Sequence, residues 1–140
     1  KSVASVIRRL DPPPQMIEKL AADLIACRRT ARRLARAMDL RQSRIARLLD
    51  PLSTEARILV LATLVRGSKR MAVSQYLTDS WRIVPALRGE DLRRLGFRPG
   101  PIYREIFAAL RSARLDGQLY TRRDEVSFVL RRFAGASLQH

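Results

Sequence analysis

The stretch Leu87-Arg88-Gly89-Glu90-Asp91-Leu92-Arg93-Arg94-Leu95-Gly96-Phe97-Arg98-Pro99-Gly100-Pro101 decides the fold, together with its continuation through Ile102 to Arg114 and into Leu115-Asp116-Gly117. It reads as a helix, a glycine-bearing turn and a second helix. Gly96 permits a left-handed helix end. Pro99 and Pro101 stiffen both sides of Gly100, so the turn has few conformations to lose on folding. A proline opens the helix over 101–116 and Gly117 closes it, the usual order of these two residues at helix ends. The amides of Ile102 and Tyr103 are expected to point out of the positive end of that helix, open to a phosphate oxygen, with Arg98 and Arg104 beside them.

The same punctuation extends in both directions. After the bend, Thr121 to Asp124 spells a capping box in its Asp form, followed by a helix to about Phe133. Before it, Trp81 to Pro85 is a connector and Lys69 to Thr78 a short helix through Met71, Val73, Tyr76 and Leu77. Ser53 is an expected N-cap with Glu55 in the first turn, where the helix dipole favours an anion. The nearly continuous apolar run Ile58 to Val65 predicts a central helix, stopped by Gly67. Gln42 to Leu49 is a helix with Ile45, Leu48 and Leu49 inward. Asp11-Pro12-Pro13-Pro14 separates a short basic lead from a long helix reaching about Met38. That helix carries Met16, Leu20, Leu24, Cys27, Ala31, Leu34 and Met38 at steps of three and four, an expected buried stripe. With few glycines and almost no alternating β-type runs, the fold class is all-α, about seven helices in a compact array.

Charge narrows the function. The 140 residues carry 28 basic and 13 acidic side chains, a net charge of +15, and 25 of the positives are arginine. Between Arg28 and Arg47 there are eight arginines and one acid, Asp39. Arginine forks pair with phosphate bidentately, so the excess points to a polyanionic partner, nucleic acid before membrane. The bland account is arginine as a solvated surface charge. Cys27, the single cysteine, excludes an internal disulfide and reads as core filler. His140, the sole histidine, is the last residue, so zinc and histidine-based chemistry are excluded within this chain. No apolar run is long enough to span a membrane. The start at Lys1-Ser2-Val3, with neither Met nor a cleavable signal, reads as the cut edge of a larger protein.

The longer pattern is more specific. Leu87, Gly89, Asp91, Leu92, Leu95, Gly96, Pro99, Gly100, Pro101, Ile106, Ala113, Leu115, Asp116, Gly117 and Glu125 together resemble the tail of bacterial tRNA nucleotidyltransferases, the family of CCA-adding, A-adding and related poly(A) polymerase proteins. Leu49-Asp50-Pro51-Leu52-Ser53 and Tyr76-Leu77 with Trp81 resemble the region just upstream. The likeness covers about Gln42 to Phe133 and is strong between Val84 and Val129; residues 1–40 match by helical character alone. Arg88 departs from a family Thr or Ser, and Phe107 from a smaller aliphatic residue.

The resemblance implies a single helical RNA-binding domain over 1–140. Residues 1–50 would form a long basic helix and connector, and 51–140 a tail-like module, with the N-terminal catalytic head missing. It implies tRNA or tRNA-like RNA as partner, gripped at the acceptor–TΨC region, and a cytoplasmic setting. No cofactor, obligate small molecule or membrane is expected for the chain itself. In the family, Mg²⁺ and CTP or ATP belong to the head, so this fragment alone should be inactive while the parent acts as a transferase. The acid pairs Glu90-Asp91 and Asp124-Glu125 stand at predicted helix starts, where capping is the expected role.

Duplex RNA is read by shape and backbone rather than through its deep major groove. The expected RNA-binding set is therefore Lys69, Arg70, Arg88, Arg93, Arg98, Gly100, Ile102, Tyr103, Arg104 and Arg122. Trp81 and Tyr103 are candidates for stacking on a base. Arg28 to Arg36 form a second candidate surface, which serves equally well as a solvated face or a contact to the head. The alternative function is a stand-alone helix-hairpin-helix-like nucleic-acid-binding or protein-interaction module without an enzymatic role.

Overall fold

The computed structural model describes residues 13–137. The basic lead, Asp11-Pro12 and His140 lie outside the described residues. Seven helices follow one another: α1 (Pro14–Arg36), α2 (Gln42–Leu49), α3 (Thr54–Thr63), α4 (Ser68–Thr78), α5 (Gly89–Arg94), α6 (Pro101–Leu115) and α7 (Arg122–Arg132). A 3₁₀ turn, Ser80–Arg82, links α4 to the connector, and a four-residue turn of helix, α8 (Ala134–Ser137), ends the described chain. No strand occurs among the described residues. The chain is an all-helical array, as the sequence predicts.

The core has two lobes. In the first, Cys27 and Leu34 of α1 meet Ile45 and Leu49 of α2, Val60 of α3, Val73 and Tyr76 of α4, and Leu115. In the second, Leu87, Leu92, Phe97, Ile106, Leu110, Leu119 and Val129 close α5, α6 and α7 around one another. Helix α6 serves both. Its Ile106 and Leu110 lie in the second lobe, while Leu115 at its end reaches the first.

Polar bridges fix the two lobes together. Arg111 of α6 donates to Asp50 at 2.5 Å, and its Nε donates to the Ile83 carbonyl at 3.3 Å. Tyr76 donates its hydroxyl to the same Asp50 carboxylate. At the C-cap of α6, Asp116 accepts from the Ser43 amide at 2.9 Å and from the Ser43 hydroxyl at 2.7 Å. Helix α2 needs that help, because Arg41 at its N-cap offers no side-chain acceptor.

Local signals hold where they are strictly local. Ser53 accepts from the Ala56 amide at 3.1 Å, and Thr121 and Asp124 form the reciprocal box at 3.1 and 2.8 Å. Gly96 (φ 89°) and Gly117 (φ 69°) take left-handed conformations. Each ends its helix with the paired bonds of a Schellman motif: Phe97 to Leu92 and Gly96 to Arg93, then Gln118 to Ala113 and Gly117 to Arg114.

Three expectations need correction. The stripe on α1 is buried only in its C-terminal half, at Cys27 and Leu34. Met16, Leu20 and Leu24 are about half exposed and Met38 is 97% exposed, because α3, the chief neighbour of α1, is only ten residues long. Helix α3 is not central, since only Ala56 and Val60 are buried while Ile58 and Val65 face solvent. Gly67 does not stop α3, which ends at Thr63; it stands at the N-cap of α4.

Candidate nucleic-acid interface

The bend is built from the inside out. The Schellman ending of α5 turns the chain so that Phe97 enters the second lobe, 2% exposed. From there Arg98, Pro99, Gly100 and Pro101 stand on the surface, and Arg104 emerges exposed from the first turn of α6. Tyr103 braces the turn from below. Its hydroxyl donates to the Phe97 carbonyl at 3.0 Å, and its ring meets Phe107 edge-on with centroids 6.3 Å apart. The larger Phe107 is thus a packing partner for the brace. Two prolines and a pinned aromatic leave little freedom in the projecting residues, which favours a surface held ready for a rigid ligand.

One detail of the bend differs from expectation. The Tyr103 amide is not open to a ligand, because it donates to the Gly100 carbonyl at 3.0 Å. Tyr103 is also half-buried against the second lobe, as is Ile102. The tip of the bend therefore presents guanidiniums more than amides.

The other expected residues divide by what they touch. Arg88 and Arg93 are exposed around α5, and no hydrogen bond or ion pair engages either side chain. Arg88 has no oxygen with which to cap α5; instead Asp91 reaches back to the Arg88 amide at 2.8 Å. The second oxygen of Asp91 accepts from Arg122 at 2.5 Å, so Arg122 is already ion-paired. Lys69 donates to the Ala35 carbonyl near the end of α1. Arg70 donates to the Leu61 and Leu64 carbonyls at 2.8 and 3.2 Å. Both cations thus satisfy helix C-terminal carbonyls, where positive charge is favoured. The bend gathers Arg98 and Arg104, with Arg88 and Arg93 on the helix before it. Lys69 and Arg70 belong to the other lobe.

The aromatic candidates also separate. Tyr103 is committed to the brace, whereas Trp81 is 46% exposed with the Arg82 guanidinium 5.1 Å from its ring. That stack is an exposed cation–π pair.

Three of the four acids in the two pairs are engaged in architecture, and Glu90 is exposed. Asp91 and Asp124 cap helices, and Asp124 accepts from the Tyr120 and Thr121 amides. Glu125 is fully buried; it accepts from the Ala86 amide at 2.9 Å, the Leu87 amide at 2.9 Å and Arg114 at 2.7 Å. Among the described residues no group of three or more His, Cys, Asp or Glu side chains is placed to hold a metal ion.

Cys27 is buried in the first lobe. Burial, opposed by a contact to Thr63 and by nearby Arg28, raises its thiol above the ordinary range, which suits an inert core residue. No helix among the described residues is long and apolar enough to cross a membrane.

Most residues that carried the family resemblance build the support of the bend, while Pro99, Gly100 and Pro101 form its exposed tip. Leu87, Leu92, Ile106, Ala113 and Leu115 are buried, and Asp91, Asp116 and Glu125 join elements. Sequence reasoning did not single out Arg44 and Arg47, which α2 sets beside Arg33 and Arg36 of α1 in one groove. The signal for them was the arginine run itself, read across the 37–41 connector.

Comparison with known proteins supports the likeness to a tRNA nucleotidyltransferase. No family model matches the chain, and no solved structure matches it. It is 39% identical over 100 residues to the A-adding tRNA nucleotidyltransferase of Geobacter sulfurreducens. The match takes in 71% of this chain and 11% of that relative, so the chain spans a small part of the protein it is similar to. The relationship is to a piece of a tRNA nucleotidyltransferase.

Proposed function

We propose that this chain grips the acceptor–TΨC region of tRNA through phosphate and shape contacts. In this reading it is the C-terminal part of a template-independent nucleotidyltransferase that adds CCA or A to tRNA 3′ ends. The observation that carries it is the exposed, proline-braced bend, which presents Arg98 and Arg104 from a rigid support. The similarity to an A-adding enzyme supplies the class of nucleic acid. Chemistry at the 3′ end belongs to a head domain using Mg²⁺ with CTP or ATP. The work of this chain is to position the RNA, in the cytoplasm, where tRNA is processed. Shape-and-backbone recognition suits an enzyme that must accept many tRNAs, because phosphates and 2′-hydroxyls are common to all of them.

Fluorescence anisotropy with labelled tRNA and a random DNA duplex tests the reading. Neutralising five phosphates at the bend alone contributes roughly −4.5 to the slope of log K against log salt. Replacing Arg98 and Arg104 together by Glu should weaken tRNA binding and make the slope shallower by about 2, with unchanged thermal stability. Equal affinity for tRNA and random DNA, or normal tRNA binding by the double variant, would overturn it.

A further inference from the structure

We propose that the arginine side of α1 and α2 is a second RNA-backbone surface, continuous with the bend along α6, so that one RNA is held across both lobes. This rests on the RNA-binding reading above and adds where the rest of the RNA lies.

Three observations carry it. The first is a set of unmatched charges. Arg28, Arg29, Arg32, Arg33 and Arg36 on α1 and Arg44 and Arg47 on α2 are all exposed, and no hydrogen bond or ion pair engages their side chains. Along α1 they form two adjacent rows at steps of three and four, where like charges repel and oppose helix formation. A polyanion laid along the rows relieves that repulsion.

The second is that the nearby acids are bound elsewhere, Asp39 acting on Arg44 through space alone. Asp39 is held by Arg41 through side-chain bonds of 2.8 and 3.1 Å and a backbone bond of 3.0 Å, which keep its pKa at about 2. Asp116 is engaged by Ser43.

The third is continuity. One groove is lined by Arg28, Arg29, Arg32, Arg33 and Arg36. It shares Arg33 and Arg36 with a second groove that also contains Arg44 and Arg47. Arg47 in turn lines a third groove with Arg132 and, on α6, Ala108, Ala109 and Ser112. Arg104 of the bend lies four residues before Ala108, one helical turn along the same face. The positive bend and the paired rows on α1 and α2 are therefore joined by a stretch of small side chains on α6 that allows close approach, with Glu105, among the described residues, the one exposed acid beside it. Guanidiniums in a line suit a repeating phosphate chain better than a compact acidic peptide.

The test uses the 140-residue chain with Arg33, Arg36, Arg44 and Arg47 all changed to Gln, titrated with labelled tRNA at several salt concentrations. Four lost phosphate contacts make the salt slope shallower by roughly 3.6, so between 50 and 200 mM salt the wild type loses about 150-fold more affinity than the variant. Changing the same four residues to Lys should keep a slope near the wild-type value, which separates charge from misfolding. The inference fails, and the bend reading stands, if the Gln variant binds tRNA with wild-type affinity and slope while R98E/R104E loses binding. Both fail if the wild type binds tRNA no better than random DNA. Displacement of tRNA by poly-L-glutamate at equal charge concentration would assign the surface to an acidic protein partner and overturn the RNA assignment.

Discussion

The bend lobe sets its free arginines, Arg88, Arg93, Arg98 and Arg104, on a frame of matched charges, whereas the arginine rows of α1 and α2 have no such frame beneath them. Around the bend, Asp91, Asp124 and Glu125 are each bound by amides or guanidiniums, and Arg114 and Arg122 are paired with two of them. On α1 and α2, seven exposed arginines form no hydrogen bond or ion pair with a carboxylate. The first arrangement fixes a shape, because buried or half-buried charge must be matched to be tolerated. The second leaves charge free for something outside the chain. The apolar surface follows the same division. The second lobe closes around Phe97, Leu92 and Ile106, while the N-terminal half of α1 leaves Met16, Ile17, Leu20, Leu24 and Ile25 in contact with solvent.

The sharpest way to break this contrast is at Glu125. Its carboxylate satisfies the Ala86 and Leu87 amides and neutralises Arg114, and all of it is hidden from water. Glu125→Ala should cost about 3–5 kcal/mol, since it leaves a partly buried cation and two amides without their acceptor. Urea unfolding measures this directly. A loss below about 1 kcal/mol would mean that water replaces the carboxylate easily and that the lobe is not held by its matched charges.

Backbone conformation comes next. Gly96→Ala places a side chain at φ 89°, which should cost about 1–2 kcal/mol. Gly100→Ala, in extended backbone with open space around the site, should be neutral within about 0.5 kcal/mol. Equal losses at the two positions would remove the distinction between a turn that needs glycine and a bend stiffened by its prolines.

Asp50 gives a smaller, pH-dependent effect. Burial alone would raise its pKa, but hydrogen bonds from Arg111 and Tyr76 outweigh burial and hold it below the ordinary carboxylate value. The folded state therefore prefers the ionised form. Its contribution is complete above about pH 4, the unfolded value, and is lost as pH falls through the lower folded value. The site is partly exposed, so the amount is limited to about 1 kcal/mol. Asp50→Asn should unfold with less dependence on pH in that acid window. An unchanged acid transition would show that the bridge between lobes is not electrostatic.

Much of the fold was legible because its signals act over three or four residues. Ser53, Thr121, Gly96 and Gly117 announce helix ends through their own backbone, and each does so in the structure. The Arg98–Arg104 bend was readable for the same reason. What could not be read are contacts between distant segments. Asp116 completes the start of α2 across 73 residues, and Glu125 reaches Ala86 across 39. Neither pairing leaves a periodic trace. The engagement of Lys69, Arg70 and Arg122 was hidden likewise, since a basic residue next to a site in sequence looks the same whether or not a carbonyl or carboxylate claims it. The buried extent of α1 depended on the length of its neighbour, not on its own pattern, which is apolar to its first turn.

That last point supplies the smallest expected effect. Leu20 and Leu24 repeat the spacing of Leu34 on α1, yet they are 45% and 50% exposed while Leu34 is fully buried. Transfer from water, not helical position, sets the stabilisation, so equal sequence pattern should give unequal energy. Leu34→Ala should cost about 2–5 kcal/mol through lost burial and the cavity left in the first lobe. Leu20→Ser and Leu24→Ser should each stay within about 0.5 kcal/mol, the range of surface changes. Thermal or urea unfolding of the three variants at low protein concentration separates the two cases. If the serine variants lose more than about 2 kcal/mol, comparable to core truncations, the N-terminal half of α1 is covered in solution, and the two halves of this helix are both core.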